Sequence, residues 1–166
     1  MKKIFFSLCI LLLGSVAFAQ NGYDTVPPYK RFPAVPAFRL LETDSVSIFT
    51  KEQLKKDKPV LVMVFNPECD HCKHETEEIL KHIGDLRKVQ IVMAAMGQYT
   101  PMKEFYTNYK ISEQKNIRLG QDFQYLLPNF YRIHNLPYLA MYDKKGKLIT
   151  TFEGTMKIED LINVFK

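Results

Sequence analysis

Residues 65–75, FNPECDHCKHE, decide the reading of this chain. They follow a continuous apolar run at 59–65, PVLVMVF, whose branched residues mark a strand buried on both faces. After them Ile79, Leu80, Ile83 and Leu86 recur at helical spacing, and Gly84-Asp85 loosens the end. Cys69 and Cys72 therefore sit where a strand gives way to a helix. The first sulfur then lies at a helix N-terminus, where unpaired N–H groups and the macrodipole favour negative charge. Such positions lower a thiol's pKa from about 8.5 to roughly 3.5–7.5. Thiolate is the attacking species, so Cys69 reads as the nucleophile and Cys72, one turn further in, as the resolving thiol.

Other uses of a C-x-x-C pair fit less well. A zinc half-site is usually matched by a second Cys or His pair downstream. Here only His71, His74, His82 and His134 are available, so a copper or zinc chaperone is the alternative to redox chemistry. Covalent haem attachment needs histidine directly after the second cysteine, where this chain has Lys73. A purely structural disulfide across so short a loop brings little entropic benefit.

Around this segment, strand and helix signals alternate. Residues 38–41 and 46–49 are short strand candidates, and Thr50 with Gln53 suggests a capping box for a brief helix to Lys55. Residues 89–96, VQIVMAAM, form a second buried strand. Pro101 opens a helix to about Lys110, with Met102, Phe105, Tyr106 and Tyr109 on its apolar side. A short strand at 116–119 precedes helical stretches over 123–132, interrupted at Pro128. The aromatics there, Phe123, Tyr125, Phe130 and Tyr131, read as core or groove lining. Residues 138–142 and 147–152 are strands joined by the turn Asp143-Lys144-Lys145-Gly146. Thr155 is the expected cap of a last helix to Lys166, with Ile158, Leu161, Ile162 and Phe165 facing in. Long apolar strands separated by helices imply an α/β domain, a central mixed sheet covered by helices on both faces.

The N-terminal segment stands apart. Lys2 and Lys3 precede the apolar stretch 4–13, and Ala17-Phe18-Ala19 offers small residues for a signal peptidase. Residues 1–19 are expected to be a signal peptide, too short in its apolar part for the roughly 20 residues of a bilayer span. Residues 20–36, with Pro27, Pro28, Pro33 and Pro36, read as an extended leader, and 37–166 as the domain. Cleavage removes Cys9, leaving one cysteine pair in a compartment where disulfides persist. It also removes two lysines from a net charge of +5. So mild an excess gives no argument for nucleic acid or for stable membrane insertion. Export to the periplasm of a Gram-negative bacterium is the expected location.

Strand, C-x-x-C, helix and a late proline before a strand hairpin together resemble the thioredoxin superfamily. Within it the chain is similar to the extracytoplasmic TlpA-type proteins over about 37–166. CDHCKHE carries the likeness through Lys73 and Glu75, and NLPYLAMYDKKGKLITTFEG, 135–154, through its proline loop, hairpin and closing glycine. The resemblance implies a thioredoxin-like fold and a protein disulfide oxidoreductase, more a reductase than an oxidant, serving thiol reduction or cytochrome c maturation. It implies no cofactor beyond the Cys69–Cys72 couple, and as partners protein thiols or disulfides with an unidentified electron donor or acceptor. It also implies a cis Leu136–Pro137 bond lying against the disulfide and offering backbone to an incoming peptide.

The departures matter too. Family members usually carry tryptophan before the first cysteine, where this chain has Glu68, a charge that opposes thiolate formation beside it. The buried aspartate of cytoplasmic thioredoxins is replaced by Met63, which leaves Glu75 as the candidate proton relay. His71 resembles the histidine that precedes the second cysteine in oxidising members, and is a candidate for tuning the couple. A thiol peroxidase of related fold would have threonine or serine where Asn66 stands. A redox-inert thioredoxin-like binding module is the remaining alternative.

Overall fold

The structure is a computed structural model that describes residues 26–166. Seven strands form one mixed sheet: β1 (Arg39–Leu41), β2 (Ile48–Thr50), β3 (Val60–Phe65), β4 (Gln90–Ala95), β5 (Ile117–Gln121), β6 (Tyr138–Tyr142) and β7 (Leu148–Glu153). Their spatial order is β2-β1-β5-β4-β3-β6-β7. β3, β4 and β5 run parallel, and β6 and β1 flank this trio antiparallel. Five helices accompany the sheet among the described residues: α1 (Pro28–Arg31), α2 (Asp70–Lys81), α3 (Tyr99–Asn108), α4 (Leu126–Tyr131) and α5 (Ile158–Val164).

Alternation along the central strands builds two cores, because successive side chains leave opposite faces of a sheet. Leu61, Met63 and Phe65 of β3 join Ile91, Met93 and Ala95 of β4 on one face. There they meet Cys72 and Ile79 of α2, Met102 and Phe105 of α3, and Ile158 and Leu161 of α5. Val60, Val62 and Val64 point the other way, toward Phe38, Phe49, and Leu127 and Tyr131 of α4. All six residues of β3 are buried, as a doubly covered strand requires.

Several elements differ from the sequence reading. The leader is not extended throughout. Pro28–Arg31 makes one helical turn, opened by a proline whose missing N–H costs nothing there. Tyr29 packs on Tyr131, Ala34 bridges to Lys147, and the Leu148 N–H donates to the Pro33 carbonyl at 2.8 Å. The residues just ahead of Ala37 are thus docked on the rest of the chain. The brief helix after Thr50 is a single 3-10 turn, Lys51–Gln53, with Gln53 Oε1 accepting the Thr50 N–H.

β2 starts at Ile48 rather than Val46, because the Asp44 carboxylate takes the N–H groups of Val46 and Ser47 into a turn. The cysteine helix ends at Lys81, yet Leu86 is still fully buried by the turns that follow. Pro128 does not interrupt α4. It occupies the third helical position, where no intrahelical donor is needed. Thr155 does not cap α5 either; Lys157 does, since the preceding Met156 N–H is bonded to Glu75 Oε2 at 2.9 Å. That helix stops at Val164, two residues short of the expected end.

Candidate active site

The parallel strands β3, β4 and β5 end together: Phe65 lies opposite Ala95, and Ala95 opposite Gln121. The loops leaving this edge carry both cysteines and the proline loop. Residues 66–68 turn sharply, with the Asn66 carbonyl accepting the Cys69 N–H at 3.1 Å and Asn66 Oδ1 the Glu68 N–H at 2.9 Å. Cys69 is the N-cap of α2, in extended conformation at φ −77° and ψ 122°. Its sulfur makes no capping bond, and the residue is half-buried against the core.

Cys72 stands one turn further in and is fully buried. Burial pushes its thiol well above the ordinary range. A hydrogen bond shared with Cys69 and the charges of Cys69 and Glu75 push the same way, and a backbone bond from Asn66 opposes them. The two sulfurs thus differ in kind, one reachable and one held neutral.

Glu75 lies on α2 among core residues and is 1% exposed. Its Oε2 accepts the Met156 N–H, while Oε1 has no partner. Burial raises its carboxyl above the ordinary glutamate value, opposed by the Met156 bond. Sequence spacing put Glu75 on the cysteine helix. Nothing in the spacing announced Met156, a partner on the loop that closes the chain.

His71 is exposed near the start of α2, and Glu68 is exposed just before it. Glu68 lines a shallow groove with Lys73, Pro101, Glu104 and Tyr109, between the start of α2 and α3. Lys73 is engaged with Asp70 at 2.9 Å on the surface. His74 is exposed as well, His82 caps the far end of α2, and His134 lies 3.7 Å from Glu153. Among the described residues, no group of three or more His, Cys, Asp or Glu side chains converges as a metal site would.

The Leu136–Pro137 bond is cis. Pro137 is buried and leads directly into β6, whose Tyr138 lies opposite Val64 of β3, so this loop shares the sheet edge with the cysteines. The Pro137 carbonyl accepts the Gly154 N–H at 2.8 Å, and Leu136 packs against both cores.

One residue that sequence reasoning missed also shapes this edge. Asp122, directly after β5, is 1% exposed and accepts the N–H groups of Leu126 and Leu127 at 3.1 and 2.8 Å. Burial raises its carboxyl, against those bonds. An acid just before a helical apolar run is the signal that would have found it. Of the aromatics read as core or groove lining, Tyr131 is buried, while Phe123 and Tyr125 are exposed.

A sequence model of the thioredoxin-like domain matches residues 49–166. The chain belongs to the thioredoxin-like family. No curated protein matches it. Solved structures share the fold at low identity. A secreted disulfide oxidoreductase of Mycobacterium tuberculosis, described as homologous to Escherichia coli DsbE, is 18% identical, with a TM-score of 0.64 over 77% of this chain and 93% of that one. DsbF of the same organism is 22% identical, with a TM-score of 0.64 over 84% and 96%. StoA of Bacillus subtilis is 20% identical, with a TM-score of 0.59 over 80% and 98%.

Proposed function

We propose that this chain is an exported thiol–disulfide oxidoreductase that exchanges disulfides with protein thiols through Cys69 and Cys72. The observation that carries the reading is the contrast between the two sulfurs. Cys69 is accessible at the opening of α2, and Cys72 is wholly buried one turn behind it. In the reducing direction, the Cys69 thiolate attacks a substrate disulfide. A Cys69–substrate disulfide forms, and the displaced substrate sulfur leaves as a thiolate and takes up a proton. Cys72 then loses its proton and attacks the Cys69 sulfur. The internal disulfide closes, the second substrate thiol is released, and the substrate has gained two electrons.

The buried, partnerless Oε1 of Glu75 is suited to take the proton that Cys72 gives up. Leu136 and Pro137 supply the docking wall. Pro137 spends its carbonyl on Gly154, which leaves the Leu136 peptide to meet incoming backbone. Exposed His71 tunes the couple toward oxidation and Glu68 toward reduction. Reduction, in general thiol maintenance or cytochrome c maturation, is the favoured direction. Known dithiol proteins of this chemistry run from about −270 to about −120 mV.

The signal-like residues 1–19 support export to a periplasm, and lie outside the described residues. No helix among the described residues is long and apolar enough to cross a membrane. Replacing Cys72 by serine should trap partners as mixed disulfides on Cys69, visible on non-reducing gels. If neither an adduct nor an internal disulfide appears across a range of glutathione buffers, the proposal fails. The equilibrium potential in the same buffers reads the direction.

A further inference from the structure

The parallel strands have a second end, away from the cysteines. β3, β4 and β5 start together there, with Val60 opposite Gln90 and Ile91 opposite Ile117. The length of β3, about 17 Å at the usual rise per residue, separates this end from the loop that leads to Cys69. A cleft of about 440 Å³ opens here, between the segment joining β2 to β3, the turn before β4 and the start of β5. Its floor is apolar, from Phe49, Leu54, Val89, Ile91 and Val92. Six cations line it, Lys55, Lys58, Arg87, Lys88, Lys115 and Arg118, and no acidic residue does.

Side-chain amides tie the walls of the cleft to one another. Gln90 Oε1 accepts the Lys55 N–H at 2.6 Å, and Gln90 Nε2 donates to the Lys55 carbonyl at 2.9 Å. Asn116 Nδ2 donates to the carbonyls of Leu86 and Val89 at 3.0 and 3.1 Å. Two of the cations are engaged as well. Arg118 pairs with Glu42 and lies over the Phe49 ring at 4.6 Å, and Arg87 donates to the Gly84 carbonyl at 3.1 Å. Lys55, Lys58, Lys88 and Lys115 form no ion pair among the described residues. Lys73 and Lys81 on α2 differ, since each holds an acid three residues before it. Asp57, Asp85 and Glu113, the acids nearest the four lysines in sequence, do not line the cleft. Like charges gathered around one concavity repel one another and concentrate anions there.

We propose that this cleft is a binding site for a diphosphate group, separate from the cysteine pair. Its size falls within the roughly 300–1,000 Å³ of small-ligand sites. A phosphoryl group carries about −1.5 to −2 at neutral pH, so two linked ones match the four unpaired lysines and a single one does not. Lysine ammonium groups suit the task, as compact point charges that donate to phosphate oxygens. The apolar floor has room for a ring attached to the diphosphate. Inorganic pyrophosphate and a nucleoside diphosphate therefore share the recognised chemistry, and the experiment separates them. The site stands whether or not the cysteines exchange disulfides.

The test titrates the intact protein with sodium pyrophosphate, and separately with ADP, at constant ionic strength, by calorimetry and amide NMR. Pyrophosphate should saturate the cleft, with shifts confined to 54–58, 87–92 and 115–118 and none at 69–72. Lys88→Gln/Lys115→Gln should weaken binding by about tenfold or more, the factor that ~1.4 kcal/mol represents. Lys144→Gln/Lys145→Gln removes the same charge from the hairpin turn and should change binding by less than about twofold. All four lysines are exposed, so both variants keep the core intact. ADP binding more tightly than pyrophosphate, and losing affinity in the Lys88/Lys115 variant, would assign the organic form. ADP binding more weakly would assign the inorganic one. No saturation by either probe, shifts scattered over surface lysines, or equal weakening by the two double variants overturns the site.

Discussion

Replacing Glu75 by glutamine isolates the effect of placing a carboxylate behind a buried thiol. In the native protein Oε2 accepts the Met156 N–H and Oε1 has no donor. Burial raises this carboxyl above its ordinary value of 4.5. The folded state therefore holds a proton that the unfolded chain would already have released. Stability from this group is fully present below the unfolded pKa and is lost as pH rises through the folded one, by at most 1.36 kcal/mol per pH unit.

A buried charged oxygen without a donor costs about 1–3 kcal/mol. Glutamine keeps an oxygen for Met156 and replaces that charge by a neutral amide with a smaller penalty. At pH 8 the Glu75→Gln protein should be more stable by about 1–2 kcal/mol, a rise of about 3–6 °C in Tm for a chain of this size. At pH 4 the difference should vanish or reverse, because a protonated glutamate and a glutamine are then alike. Thermal and urea melts of the reduced proteins from pH 4 to pH 8 measure both limits. Asp122 contributes a slope of the same sign to both proteins, so their difference isolates Glu75. An offset that stays constant across this range would refute the reasoning.

Two packing predictions follow from the same structure. A Cβ built on Gly120 would lie 2.8 Å from the Leu41 carbonyl oxygen and 2.9 Å from Leu40 Cβ. Gly120→Ala should therefore force β1 off β5 and cost about 1–3 kcal/mol, and an unchanged urea midpoint would show that the contact yields freely. Tyr131→Phe leaves the buried Tyr142 hydroxyl without its hydrogen-bond partner and should cost about 1–3 kcal/mol. Tyr131→Phe/Tyr142→Phe should recover part of that loss, giving a coupling of about 0.5–3 kcal/mol in a double-mutant cycle; strict additivity would deny the pair.

What was legible in the sequence was what short-range pattern controls. The run at 59–65 reads as a doubly buried strand because every one of its side chains meets a core, and the cysteine helix reads from its apolar spacing. The turn at 143–146 carries its own glycine, at φ +76°. What stayed hidden depends on pairings far apart in the chain. β1 joins the sheet antiparallel to β5, across some eighty residues, through the register pair Leu41 and Gln121. The start of α5 moves because a glutamate on another helix claims the Met156 N–H. Composition left Phe123 and Tyr125 as core or groove lining, and only their exposure in the folded chain shows that they lie outside the core. In the site, the spacing of the two cysteines at a helix start already implied that Cys72 lies deeper than Cys69, and the structure buries Cys72 fully.

The docked segment ahead of β1 has a consequence for how the protein behaves in a crowded solution. β7 is the last strand of the sheet, and Ile149 and Phe152 on it are exposed. Such an edge is a template on which another chain can add itself. Pro33, Ala34 and Val35 occupy the beginning of that edge, through the bonds to Gly146 and Leu148 and the bridge to Lys147. They act as a guard against self-recognition, and prolines suit the task because they cannot extend the pairing further. A chain trimmed to begin at Ala37 would keep its cysteines and lose its guard, and aggregation rather than inactivity would be the first sign of the damage.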